Sequence, residues 1–396
     1  MNVEDAYREH WTRLLASLAA EFGLDTAEEA LGEAYARACE HWPEQPPGNP
    51  AGWLRTVARR AALDRLRRAG VAARKLPLLA EGEPQAGPVG IADDRLRLMF
   101  TCCHPALALP VRIGLTLRYV TGLPTRTVAR LFLVGEATMA QRLTRARRKI
   151  TEAGIGYRVP EGPQLPERLA GVLHVVYLVF TEGYRPGGDT ALATEGVRLA
   201  RLVRELMPGE PETAALLALV MLQHARRDAR RDARRAGGGE VLLPDQDRTR
   251  WHTGEIEEAL GLLERAGMGR YALEARIAAA HATAARAHDT DWDLIAALYA
   301  RLEEITGSAM VRLNRAVAVA EASGPAAGLG LLEGLELPGQ AMLPAVRAEL
   351  TARLGELAAA DVLYAAALEL SGEEHQRAWL LTRRALNAAR RSAGGS

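Results

Sequence analysis

Thr138, Gln141, Arg142, Arg145 and Arg148 alternate along the chain with Met139, Leu143, Ala146 and Ile150. The four apolar residues fall at i, i+4, i+7 and i+11, which predicts a helix from about Ala137 to Ile150 with one buried stripe. The polar five then lie off that stripe. Guanidinium, amide and hydroxyl groups on the free face of a helix can hydrogen-bond to base edges in a DNA major groove. A shorter helix is expected over Thr125–Leu131, followed by a tight turn at Val134–Gly135 in which the glycine supplies the corner. Two helices joined in this way also occur in plain bundles, and arginine-rich faces are often simply solvated. Charge moves the reading toward DNA. Residues 94–150 carry eleven Arg or Lys against Asp94 and Glu136, a local net of +9. A field of that sign favours phosphate through counterion release.

Other chemistry-bearing residues support less. Cys102, Cys103 and His104 sit together, but adjacent cysteines are poorly placed to chelate one tetrahedral ion, and no CxxC occurs. Their setting, LMFTCCHPAL, suits core cysteines at a helix end. There is no P-loop, GxSxG or HExxH. Glu182 and His174 share an apolar helix with Tyr177 and Tyr184, where a capping or buried hydrogen-bond role is expected rather than acid–base work. Neither an enzyme activity, a cofactor nor a metal is expected.

These residues need elements to hold them. A chain of 396 residues suggests two to four domains. Ala, Leu and Arg dominate and aromatics are sparse, a helix-forming composition that predicts an all-α fold. The net charge is only +1, so any case for DNA rests on asymmetry between segments. Three cysteines, Cys39, Cys102 and Cys103, form no disulfide framework and fit a reducing cytoplasm. The first residues lack a signal-peptide pattern, and no apolar run reaches the roughly 20 residues that cross a bilayer. A cytoplasmic location without membrane contact is expected.

Four segments follow from the punctuation. Residues 1–70 read as three helices, Tyr7–Phe22, Thr26–Trp42 and Trp53–Arg68, with prolines between Pro43 and Pro50 breaking the chain. Charge divides this unit. Residues 21–44 hold seven acids against Arg37, whereas residues 55–68 hold six Arg against Asp64. Residues 71–93 have a linker's composition. Residues 94–158 contain the helix pair. Residues 165–396 read as helical hairpins, clearest at Met310–Leu335 and Ala345–Leu370, with Asp291–Ile305 as half of a further unit. The basic run Arg226–Arg235 is expected as an exposed loop or helix end. DQDRTRWH, Asp245–His252, is expected as an Asp/Arg lattice that fixes helix packing rather than as a functional loop.

Two stretches, DTAEEALGEAYARACEHW…NPAGWLRTVARRAALDRLRR (residues 25–68) and Leu96–Ile150, resemble a bacterial sigma factor of the extracytoplasmic-function class. FTEGY (Phe180–Tyr184), DQDRTRW and the helical hairpins resemble the subgroup with a tetratricopeptide-like C-terminal extension. The resemblance implies sigma region 2 at 1–70, a flexible linker at 71–93, sigma region 4 with a helix-turn-helix at 94–158, and a regulatory domain at 165–396. It implies promoter-specific transcription initiation, with core RNA polymerase and promoter DNA as partners and a regulatory ligand or protein at the C-terminal domain. Asp25, Glu28, Glu29 and Glu33 would dock on the polymerase. Asn49, Trp53, Arg55, Arg59 and Arg60 would melt and read the minus-ten element. Thr138, Gln141, Arg142 and Arg145 would face the minus-thirty-five element, with Arg148 and Lys149 on phosphate. The family often has Gln where this chain has Gly32, and Asn where it has Arg60. The competing reading is a ligand-responsive helix-turn-helix regulator that does not dock on polymerase. The acidic helix and the basic helix of residues 1–70 favour the sigma reading, since a simple repressor needs neither.

Overall fold

The computed structural model describes residues 2–68, 94–185, 188–230, 243–372 and 374–393. The linker expected at 71–93 lies outside them. The described residues form helices and turns with no strand, the expected all-α class. Among them, no helix is long and apolar enough to cross a membrane. Contacts divide the chain into two units, Met1–Thr181 and Glu182–Ser396.

The first unit begins with α1 (Val3–Phe22), whose start is capped by the Asn2 side chain accepting from the Asp5 amide at 2.7 Å. Gly23, at φ +82°, turns the chain directly into α2 (Leu24–His41). Helix α3 (Pro50–Arg68) starts three residues before the expected Trp53, because a proline fits the first helical turn, where no amide donor is required. Alanines and leucines line the contacts of this bundle. Ala27, Ala30, Leu31 and Ala34 of α2 are fully buried, as are Leu54, Ala58 and Ala62 of α3.

The second part of this unit holds α4 (Asp94–Cys102), α5 (Leu109–Leu115), a π-helical turn (Thr116–Val120), α6 (Thr125–Leu131) and α7 (Glu136–Glu152). The sequence suggests that 1–70 and 94–158 are separate modules on a tether. Here they share one body. Helix α1 packs on α4 and on the π-helical turn. Thr12 donates to the Val120 carbonyl at 2.7 Å, Tyr7 donates to the Gly122 carbonyl at 2.9 Å, and the Tyr157 hydroxyl lies 2.9 Å from the Ala16 carbonyl. The reason is that α1 carries Trp11, Leu14, Leu15 and Leu18, all at most 4% exposed, an apolar surface wider than two short neighbours cover.

In the second unit, α8 (Gln164–Tyr184), which begins in the first unit, ends before α9 (Thr190–Leu206), α10 (Pro211–His224), α11 (Thr253–Leu263), α12 (Arg270–Thr283), α13 (Trp292–Thr306), α14 (Ala309–Ser323), α15 (Pro325–Leu331), α16 (Met342–Arg353), α17 (Leu357–Leu370) and α18 (Glu374–Ala393). Helix α10 is buried almost all round, with every residue from Thr213 to Leu222 inside, and it packs on α9, α11 and α12. From α12 onward, consecutive helices pack on one another. The expected hairpins correspond to α14–α15 and α16–α17, and the expected half-unit, α13, packs on both α12 and α14.

The basic run departs from expectation in its described part. Arg226 donates to the Tyr184 hydroxyl at 3.0 Å and lies 5.9 Å from the Trp251 ring centre. Arg227 donates to Glu255 at 2.7 Å, and Arg230 sits 3.8 Å over the Tyr184 ring. Aromatic faces and a carboxylate replace the water these cations lose, so Arg226, Arg227 and Arg230 are half-buried, not solvated. Residues 231–235 of the run lie outside the described residues. The Asp245–His252 stretch fixes packing as expected. Arg248 stacks on Trp251 at 4.5 Å and donates from Nη1 to the carbonyls of His281 and Ala284, each at 2.7 Å.

Two glycines of the first unit give opposite expectations. At Gly122 (φ +77°) an added Cβ would lie 2.8 Å from Trp11 Cδ1, so Gly122→Ala is expected to lower stability by about 1–3 kcal/mol. Gly32, inside α2 with nothing within 4 Å of an added Cβ, should gain about 0.5–1 kcal/mol on becoming Ala. Denaturant melts of the two variants check the signs.

Candidate nucleic-acid interface

Helix α7 buries Met139, Leu143, Ala146 and Ile150 against the rest of the unit. Thr138, Gln141, Arg142, Arg145, Arg148 and Lys149 are all exposed. Their contacts stay on the helix itself: Arg145 reaches Gln141, and Arg148 pairs with Glu152. No partner holds Arg142 or Lys149 among the described residues. The face thus offers several cations and one amide, free to turn toward a groove.

The turn that aims this helix is built differently from expectation. Gly135 is extended (φ −67°, ψ 151°) and serves as the residue preceding α7. The left-handed residue is Leu133, at φ +51°, with 90% of its surface exposed. A leucine there bears a backbone cost of about 1–2 kcal/mol that glycine would escape. Sequence reasoning placed the corner at the glycine, since nothing local marks a leucine for this conformation.

Helix α3 carries the second group. The Asn49 side chain accepts from the Gly52 amide at 2.9 Å, so this residue caps α3. Trp53 packs edge-on against Trp42, ring centres 5.6 Å apart. Arg59 pairs with Glu21 at 2.9 Å. Arg55 and Arg60 have no partner among the described residues. Arg55 and Arg59 are one helical turn apart on one face, so the cations run along the helix axis.

The acidic residues of α2 are already occupied. Arg65 lies 2.7 Å from Glu33 and 3.3 Å from Glu29, and Arg37 lies 2.6 Å from Glu33. The hydrogen bond from Arg65 holds the Glu33 carboxyl below its ordinary range. Asp25 is 2.8 Å from Arg147 of α7. Glu28 is the most enclosed, with 17% of its side chain exposed. It pairs with Arg118 at 2.8 Å and with Arg147, and it accepts from the Tyr119 hydroxyl at 2.9 Å. Burial, then the neighbouring Glu28 charge, pushes the Tyr119 phenol well up, so it remains a donor. Arg118 also lies 4.9 Å over the Trp11 ring.

Arg118, Tyr119 and Arg147 were not among the residues singled out by sequence. Two signals point to them in retrospect. Arg118 interrupts the apolar run LTLRYV, and Arg147 falls on neither the buried stripe nor the free face of α7.

The cysteines are core residues. Cys102 and Cys103 are at most 2% exposed, and burial pushes the Cys103 thiol up to about 11. Such thiols stay protonated and unreactive. Among the described residues, no group of three or more His, Cys, Asp or Glu is placed to hold a metal ion.

The bundle and its basic helix define a class. Residues 6–71 match the family described as sigma-70 region 2, and the N-terminal part of the chain is a domain of that kind. A sigma-70 region 2 implies core RNA polymerase and promoter DNA as partners and a sigma-factor-like role in promoter-directed transcription. Residues 168–267 match a family of unknown function, DUF6596. An uncharacterised protein of Rhizobium meliloti (strain 1021) is 41% identical over 378 residues, covering 90% of this chain and 89% of its own length. The chain belongs to the same family as that protein. No solved structure matches the chain.

The Glu28 cluster gives a quantitative expectation. Glu28→Gln and Arg147→Gln should each destabilise the first unit. A double-mutant cycle between them should show a coupling of about 1–3 kcal/mol. Additive effects in denaturant titrations would mean that the two side chains do not interact in solution.

Proposed function

We propose that the chain is a dissociable initiation factor of the extracytoplasmic-function class. Region 2 at 1–70 would contact core polymerase and the minus-ten element. Region 4 at 94–158 would present α6 and α7 as a helix-turn-helix to the minus-thirty-five element. The residues from 165 onward would form a regulatory, tetratricopeptide-like domain. The observation that carries this reading is the pairing, within one unit, of a sigma-70 region 2 with the exposed Thr138–Lys149 face of α7.

The division of labour follows from chemistry. The phosphate backbone draws Arg148 and Lys149, a term without sequence preference. Gln141, Arg142 and Arg145 carry donors suited to adenine and guanine edges. On α3, Arg55, Arg59 and Arg60 line the path of a melted strand, and Trp53 offers an aromatic face for an unstacked base. Asn49 acts there as the helix cap, setting where α3 begins. Asp25, Glu28, Glu29 and Glu33 supply the negative surface for the polymerase.

This division requires the first unit to open. The two promoter elements lie about 25 base pairs apart, or about 85 Å at 3.4 Å per base pair. A compact body of about 150 residues has a radius of gyration of only about 15 Å. Region 4 therefore has to leave region 2 before both reach their elements, and the Glu28–Arg147 contact has to break. Polymerase docking on α2 would compete for the same carboxylates, which couples docking to opening.

Run-off transcription with bacterial core polymerase, on fragments that include the chain's own upstream region, tests the reading. Transcripts should depend on the protein and fall at least tenfold when Arg55 and Arg60 become Ala together, a loss of about 1.4 kcal/mol or more. Tight binding to duplex DNA as a dimer, without polymerase, would favour the ligand-responsive regulator. Fluorophores placed on α3 and α7 should separate when polymerase and promoter are added. An unchanged distance in a transcribing complex would overturn the opening step.

A further inference from the structure

The second unit has a half-open cavity of about 350 Å³ between the 3₁₀ turns Leu243–Asp245, Arg248–Arg250 and Ala287–Asp289 and the helices α12, α13 and α14. Its volume falls in the range of small-molecule sites, about 300–1,000 Å³. Leu243, Pro244, Trp292, Val317 and Met342 supply apolar walls. Arg248, His281, Thr290, Tyr299 and Asn314 supply the polar lining, and no carboxylate is among the lining residues.

These five polar side chains border an open cleft: Asn314 is exposed, and Arg248, His281 and Tyr299 are half-buried. Four of the five share one property. Here none of the Thr290 and Tyr299 hydroxyls, the His281 ring nitrogens and the Asn314 amide has a hydrogen-bond partner among the described residues. Thr290 is the most enclosed of them, at 7% exposed. Arg248 is fixed by its Nη1, which donates to the His281 and Ala284 carbonyls at 2.7 Å. Its Nε and Nη2 remain without a protein acceptor. Trp292 is held in place by an edge-on contact with His281, ring centres 5.2 Å apart. The result is a polar wall with one anchored guanidinium, facing an aromatic and aliphatic one.

We propose that this cavity binds a small organic monocarboxylate with an apolar body. The carboxylate pairs with the free nitrogens of Arg248 and with the neighbouring hydroxyls. The body packs on Trp292, Val317 and Met342. Asp289 acts on Arg248 from nearby, but no carboxylate lines the cavity to pair directly with a cationic ligand. A multiply charged phosphate finds only one guanidinium, together with walls that cannot solvate its remaining oxygens. The His281 ring agrees with this assignment. Burial, aided by the Arg226 and Arg248 charges, lowers it to about 4, so at neutral pH it offers one N–H and one lone pair. Neither the match to region 2 nor the transcription reading enters this inference.

Calorimetry on the full chain, with phenylacetate and 3-phenylpropanoate as probes, tests it without polymerase or DNA. Binding in the micromolar to low-millimolar range is expected, at least tenfold tighter than for phenylacetamide or phenethylamine. Arg248 also anchors the local backbone, so Arg248→Met could unfold the region. Tyr299→Phe, Asn314→Ala and Val317→Trp keep the test independent of it, with thermal melts confirming the fold. The first two should weaken binding by about three- to tenfold, the range of one hydrogen bond. Val317→Trp should abolish binding by filling the cavity. The proposal is overturned by any of three results: no binding of either acid up to about 10 mM, equal binding of acid and amide, or binding that survives Val317→Trp.

Discussion

Glu28 organises the first unit. Its carboxylate sits where water is largely excluded, between Arg118, Arg147 and the Tyr119 hydroxyl. A charge so placed must be paired, because an unpartnered carboxylate in that setting would cost several kcal/mol. The pairing joins α2, the π-helical turn and α7. These belong to segments that are far apart in sequence and that the composition alone separates. The backbone contacts of Tyr7, Thr12 and Tyr157 reinforce the same seam. Such a seam has two features useful to a switch. It is polar enough that a competing surface can replace either half, and buried enough that the closed form is well defined.

The consequence for α7 is selective. Arg147, on the flank of the helix, is engaged, while the exposed Thr138–Lys149 face stays open. In this arrangement the side chains proposed to read a groove are exposed, and what is restrained is the distance between the two halves of the unit. Control by distance suits a ligand whose two recognition elements are far apart along a stiff duplex, since neither element alone gives the full binding free energy.

The second unit solves a related problem with other means. Arg226, Arg230 and Arg248 enter a poorly hydrated region with few carboxylates, and they lie over Trp251 and Tyr184. Guanidinium is weakly hydrated and planar, so it can stack on an aromatic face and still direct its N–H groups at carbonyls. Lysine could not make the same lattice. The cavity beside it takes one guanidinium of this lattice, Arg248, into its wall, with no carboxylate among the lining residues.

Several features were legible in the residues themselves. The 3.6-residue period fixed the helices and the buried stripe of α7, and the Pro and Gly positions fixed most of their ends. Charge asymmetry marked α2, α3 and α7, because sign and spacing are local properties of the chain. What remained hidden depended on long-range pairing. Asn49 became a helix cap once Pro50 began α3, and Leu133, not Gly135, took the left-handed corner because the packing of α6 against α7 dictated the path between them. Arg226 to Arg230 read as a solvated run until Tyr184, Trp251 and Glu255 came to surround it. Glu28 read as one free acid among four, and only the fold brought Arg118 and Arg147 to it from about 90 and 119 residues away. Sequence determines which faces are apolar and which are charged. Tertiary structure decides which charges lose their water, and that loss selects their partners.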